Sequence, residues 1–169
     1  TKFTWVGFEV LALIDINKAS QSKTVFYGVD TSRVNILIAI INKYMGRNIL
    51  ADKDLFISLP KTSFKKSRLS DLSIITSILS SSFNVPFAPK SIFIGEVSLS
   101  GEVNAITCID DILLELKSMG FNKVICNYKS LKRNLGIKVG KIESGSKLPE
   151  LLAVKKRENA LSTWNSIFL

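Results

Sequence analysis

Histidine is absent from these 169 residues, and that omission removes much enzymatic chemistry at once. Ser-His and Cys-His nucleophilic catalysis both need an imidazole base, so acid–base work would fall to Lys, Asp or Glu. Cys108 and Cys126 stand far apart with no neighbouring cysteine. A four-ligand structural zinc site is therefore not expected, and two free thiols in a reducing cytoplasm are. The nearest approach to a phosphate loop is Gly140-Lys141, where Leu135 replaces the first glycine and Ile142 the Ser or Thr. No cofactor, and no nucleotide binding, is expected from this chain alone.

Positive charge is the chemistry that remains. The chain carries 23 Lys and Arg against 14 Asp and Glu, a formal net charge of +9. Lys61, Lys65, Lys66 and Arg68 fall in one stretch with no acid between them. Lys129, Lys132, Arg133, Lys138 and Lys141 form a second such run, and Lys155, Lys156 and Arg157 a third. Such clusters suit a polyanion, because each neutralised phosphate releases counterions. A merely solubilising surface is the alternative for any one of them.

The elements that must position these residues follow from periodicity and turn chemistry. Residues 5–16 and 23–29 read as two strands joined into a hairpin. Asp30 or Thr31 can cap a helix to about Tyr44, ended by Gly46. Val34, Leu37, Ile38, Ile41 and Met45 mark one apolar face of it, and Ile36, Ile40 and Tyr44 a second. Such a helix is either buried inside one domain or shared with a neighbouring subunit. Residues 54–59 suggest a strand, 60–67 a basic loop, and 69–83 a helix with Leu72, Ile75, Ile78 and Leu79 as its core stripe. Residues 91–103 read as a core hairpin, Val97 and Leu99 on one face and Ser100-Gly101 as a two-residue turn. Asp110 and Asp111 suit the start of a third helix ending at Gly120. A strand over 123–126, a helical turn over 129–133, a strand over 137–142 and a helix over 146–154 complete the chain. The pattern is that of a single α/β or α+β domain. No apolar run approaches membrane-spanning length. The chain starts without methionine in a strand-like segment, and is expected to be a piece of a longer protein.

Four segments, in order, resemble the Lon-like C-terminal domains of the bacterial RadA (Sms) DNA-repair family. Phe8 to Leu13, FEVLAL, is similar to that family's V-E-V-Q-A-L, and Gly28 to Arg33, GVDTSR, to its G-[IL]-D-x-N-R. Ile92 to Val103, IFIGEVSLSGEV, is similar to V-F-G-E-V-G-L-T-G-E-V-R, and the segment from Met119 to Ile125 to K-L-G-F-K-R-A-I-I. The resemblance implies the Lon peptidase-domain-like (ribosomal protein S5 domain 2-like) fold over residues 1–154, with 155–169 as a C-terminal tail. It also implies a homo-hexameric ring. ATP, Mg and Zn would belong to an upstream ATPase core and zinc finger absent from this chain.

Lon proteases use a Ser-Lys dyad, with the serine in a G-P-S-A-G turn. The matching stretch here runs Ser67-Arg68-Leu69-Ser70-Asp71, so Leu69 falls where the serine would be and Asp110 where the lysine would be. The resemblance thus implies a domain without peptidase chemistry, in a cytoplasmic DNA-dependent ATPase that drives branch migration. Its expected partners are single-stranded or branched DNA, other copies of itself and a recombinase, with no membrane. Lys61, Lys65, Lys66 and Arg68 are the expected DNA contacts. Arg33, which matches the family's arginine after GVDTS, is another, with a structural ion pair to Asp30 as its alternative. Two competing readings are a Ser-Lys peptidase using Ser70 and a pure oligomerisation module without DNA contact.

Overall fold

The computed structural model describes residues 10–16, 22–59 and 68–153. Leu11–Ile16 (β1) and Thr24–Tyr27 (β2) form the edges of a first sheet, with Lys53–Ser58 (β3) between them. β1 runs antiparallel to β3 and β2 parallel to it. The expected β1–β2 hairpin is therefore not present. β3 carries Leu55 and Ile57, both buried, whereas β1 and β2 are largely exposed. The most buried strand takes the centre, where both its edges are paired and its inner face is covered. The parallel β2–β3 pair needs a crossover, which Thr31–Met45 (α1) supplies.

The Asp30 carboxylate caps α1 by accepting from the Ser32 and Arg33 amides at 2.9 and 3.3 Å. Gly46, at φ +67°, ends it in the left-handed region. Val34, Leu37, Ile40 and Ile41 are buried, and Ile36, Ile38, Tyr44 and Met45 pack partly buried against the same core. Both apolar faces are thus used within one chain.

One 3₁₀ turn, Arg68–Ser70, leads into Asp71–Phe83 (α2). The stripe Leu72, Ile75, Ile78 and Leu79 is buried. Serines cover the other side and tie the helix to its neighbours. Ser77 Oγ donates to the Val10 carbonyl at 3.3 Å, Ser81 Oγ accepts from the Ile14 amide at 3.0 Å, and Ser73 Oγ donates to the Phe93 carbonyl. Small side chains let the β1 backbone approach this closely.

A second sheet is wholly parallel, in the order Ser91–Phe93 (β4), Lys123–Cys126 (β5), Lys138–Lys141 (β6). Ile109–Ser118 (α3) is the crossover between β4 and β5. The register puts Phe93, Ile125 and Gly140 on the face toward α2, and Val124, Cys126 and Val139 on the face toward α3. Leu148–Ala153 (α4) closes the core beside α1. The layers are therefore first sheet, helices α1 and α2, second sheet, then α3.

The hairpin after β4 differs from its expected form. Val97 pairs with Val103, and the Ser98 amide donates to the Glu102 carbonyl at 2.8 Å. This leaves a three-residue loop, 99–101, closed by the Gly101 amide on the Ser98 carbonyl at 2.9 Å. The extra residue turns Leu99 outward, 74% exposed, instead of into the core. The loop docks on α1, where Tyr44 Oη donates to the Ser100 carbonyl at 2.6 Å. Residues 129–133 are not helical either; side chains of α3 hold that connection in an extended path. Gly140-Lys141 lies inside β6, not in a strand-to-helix loop, which is the wrong place for a phosphate cradle.

Gly101 sits at φ +91°, and a Cβ there would meet the Tyr44 ring at 2.2 Å. Gly101→Ala is expected to cost more than ~2 kcal/mol, from strain plus displacement of Tyr44. Gly46→Ala, at φ +67° with nothing within 4 Å, should cost about 1 kcal/mol. Urea unfolding of both variants measures the difference, and equal losses would refute the docked turn.

Candidate functional site

Asp71 opens α2 four residues before Ile75 and seven before Ile78, so the helical repeat turns its carboxylate toward the buried side. It is 1% exposed. Arg33 stands four residues before Leu37 in α1, on the corresponding buried face. Its Nε donates to Asp71 Oδ1 at 3.1 Å and its Nη2 to Oδ2 at 2.5 Å. The same Nη2 donates to the Val97 carbonyl at 2.5 Å, while the Val97 amide donates to Asp71 Oδ2 at 3.0 Å. One carboxylate and one guanidinium thus join α1, α2 and the hairpin. The hydrogen bond and charge of Asp71 hold the Arg33 guanidinium above the ordinary arginine value, against the opposing effect of burial.

Arg33 is therefore paired with Asp71 and not with Asp30, whose carboxylate is occupied in capping α1. Sequence reading missed Asp71. The available signal was an acid on the core face of an otherwise apolar helix, a place that demands a partner.

Leu69 is partly buried and packs against the cluster containing Ile106 and Ile109. Its carbonyl accepts from the Gly95 amide at 2.9 Å, and the Leu72 amide donates to the Gly95 carbonyl at 3.1 Å, so the start of α2 is stitched to the hairpin strand. Asp110, in the first turn of α3, accepts from the Lys132 and Arg133 amides at 3.2 and 3.1 Å. Leu69 offers no nucleophile and Asp110 no amine base. Ser70 lies between Leu69 and Asp71, and Asp71 is committed to Arg33 and Val97. Burial pushes the Cys126 thiol up to about 12, which keeps it protonated and unreactive; Cys108 is exposed.

Of the basic residues, Lys61, Lys65 and Lys66 lie outside the described residues, as do Lys155, Lys156 and Arg157. Arg68 is exposed and lies 3.4 Å from Glu96, a solvated pair of small energetic weight. Lys129, Lys132, Arg133, Lys138 and Lys141 are all exposed. Lys141 pairs with Glu143 at 2.6 Å; their hydrogen bond raises the lysine and lowers the carboxylate. A cavity of about 830 Å³ lies between β1, α2 and β4, and its lining carries no charged side chain among the described residues. Nor do the described residues hold a group of three or more His, Cys, Asp or Glu placed to bind a metal. No described helix is long and apolar enough to cross a membrane.

The family model described as subunit ChlI of Mg-chelatase matches residues 27–130, more than half of the chain and all of the Arg33–Asp71–Val97 network. The chain belongs to this family. It is also homologous to proteins named DNA repair protein RadA. The Rickettsia typhi protein is 32% identical over 119 residues, covering 70% of this chain and 26% of the relative. The Bacillus subtilis protein is 32% identical over 117 residues, 69% of this chain and 25% of the relative. The Pseudomonas aeruginosa protein is 30% identical over 127 residues, 72% and 28% respectively. The chain thus spans about a quarter of the length of the curated relatives it matches.

Removing one partner of the ion pair leaves the other charge buried. Asp71→Ala is expected to cost about 3–5 kcal/mol, and the double variant Arg33→Met/Asp71→Leu to be more stable than either single change. Urea unfolding over the cycle of Arg33→Met, Asp71→Leu and the double variant decides this, and simple additivity would refute the coupling. At pH 8 a thiol reagent should modify Cys108 at once and Cys126 only after denaturation.

Proposed function

We propose that this chain is a proteolytically inactive Lon-like domain of a RadA-type DNA repair and recombination ATPase, serving as ring scaffold and DNA-contact surface. The observation that carries this reading is the state of the two dyad positions. Leu69 packs partly buried against a core cluster, Asp110 holds the backbone of the 127–137 connection, and the neighbouring Asp71 ties three elements together. Groups that a peptidase would keep reactive here hold structure. Homology to proteins named for DNA repair supports the setting.

In this reading Lys61, Lys65, Lys66 and Arg68 contact DNA phosphates. Arg33, turned inward, is a positioning residue: its grip on Asp71 anchors the chain just after that basic stretch. Assembly would use the outer face of the first sheet. Register places Leu11, Leu13, Val25, Tyr27 and Phe56 on the face away from α1 and α2, and all five are exposed. A contiguous apolar face of this kind suits a contact between copies of a homo-hexamer. The longer parent protein would supply the ATPase core and zinc finger with ATP, Mg and Zn, drive branch migration in the cytoplasm, and meet a recombinase. The same apolar face favours a second reading, an oligomerisation module that does not touch DNA.

Charge reversal at two phosphate contacts should lower the salt slope of DNA binding. Lys65→Glu/Lys66→Glu is expected to weaken affinity at least tenfold and reduce the slope by about 1.4–1.8. Fluorescence anisotropy across a salt series reads both, with light scattering for oligomeric state. A hexamer that ignores DNA would support the second reading, and peptide turnover abolished by Ser70→Ala would overturn the inactive-domain reading.

A further inference from the structure

The second basic run is not absorbed by the DNA contacts proposed above, and the fold gives it a defined platform. Residues 127–137 carry the chain from the carboxyl end of β5 back to the amino end of β6, which is parallel to it. No helix makes this crossover. The connection instead runs along α3, held at residues 132–135 by the two ends of that helix. Asp110, in the first turn of α3, accepts from the Lys132 and Arg133 amides, and Lys117, in its last turn, donates to the Leu135 carbonyl at 2.7 Å.

Between the connection, α3 and β6 lies a cavity of about 280 Å³. Leu113, Leu135 and Val139 contribute to its apolar floor, with Leu131, 39% exposed, and the cations Lys132 and Arg133 also lining it. Sheet register puts Lys141 on the cavity's face, beside the Tyr128 ring at 5.7 Å, and Lys138 on the opposite face. The fold thus splits a uniform-looking basic run into two sides.

We infer that this cavity takes an unpaired base of single-stranded nucleic acid, packed on Leu113, Leu131 and Leu135, with Lys132 and Arg133 on the flanking phosphates. The inference deepens the DNA-contact reading and rests on it. The cavity lies below the roughly 300–1,000 Å³ of sites for drug-sized ligands, which suits one flat group. An apolar slot rimmed by two cations lets a base pack on a dry surface while its flanking phosphates are neutralised, as single-strand sites do. A base held in a duplex cannot enter such a slot, so the site discriminates by strandedness. The two anchors from α3 also pre-order the connection, which reduces the ordering cost on binding. An acidic, apolar peptide is the competing occupant, and the test separates the two.

Anisotropy of the 169-residue chain is measured with a labelled oligothymidylate and with a hairpin duplex, over a salt series. Lys132→Glu/Arg133→Glu is expected to weaken single-strand binding at least tenfold and lower its salt slope by about 1.4. Duplex affinity should fall less, and Lys138→Glu should leave single-strand affinity within twofold. Leu131→Ala, which trims the slot without altering charge, should lower single-strand affinity and leave its salt slope unchanged. Circular dichroism melts confirm folding, and Lys132→Gln/Arg133→Gln repeats the charge test if the reversal misfolds. Unchanged single-strand binding in both charge variants, equal loss in Lys138→Glu, or an acidic peptide displacing the oligonucleotide from wild type but not from the Lys132/Arg133 variant would overturn the inference. If Lys65→Glu/Lys66→Glu loses DNA while Lys132→Glu/Arg133→Glu keeps it, the inference fails and the DNA-contact reading stands. If wild type binds neither DNA, both fail.

Discussion

The Arg33–Asp71 ion pair is the constraint on which the arrangement of the other elements depends. A carboxylate at 1% exposure is tolerable only when its charge is matched and its lone pairs are filled. Here Arg33 supplies two donors and the Val97 amide a third, while the Val97 carbonyl takes another hydrogen bond from the guanidinium. Geometry this demanding fixes the start of α2 against the start of α1 and sets the hairpin strand over both. The 3₁₀ turn that carries Leu69 is then held by Gly95.

That constraint also bears on function. Catalysis by a lysine–serine pair needs a neutral amine beside a hydroxyl in a desolvated pocket. The buried polarity at this place is instead a closed, charge-matched set of Arg33, Asp71 and the Val97 backbone. Asp110 is similarly engaged, as a clamp on the connection between β5 and β6. The same clamp orders the connection that carries Lys132 and Arg133.

Much of this was legible in the sequence where causes are local. Asp30 and Gly46 bracket α1 because a short carboxylate and a residue free at positive φ meet needs confined to single turns. Gly101 likewise announced a turn, although whether two or three residues form it depends on pairing that local composition does not fix. What depended on distant partners was not legible. β3 inserts between β1 and β2 with Leu55 and Ile57 buried in the core, a matter of the whole sheet. Arg33 finds its partner 38 positions away, and a nearer acid, Asp30, was the natural guess. Residues 129–133 read as helical, yet side chains of α3 hold them extended.

The similarity to proteins named DNA repair protein RadA and the exposed cations support the proposed DNA contact, and hydrogen exchange of the whole chain with and without an oligonucleotide tests it directly. Expected is added amide protection in peptides covering 60–68 and 128–137, with the outer strands β1 and β2 unchanged. Protection confined to β1 and β2, or absent throughout at saturating oligonucleotide, would contradict a domain that presents its cations to nucleic acid.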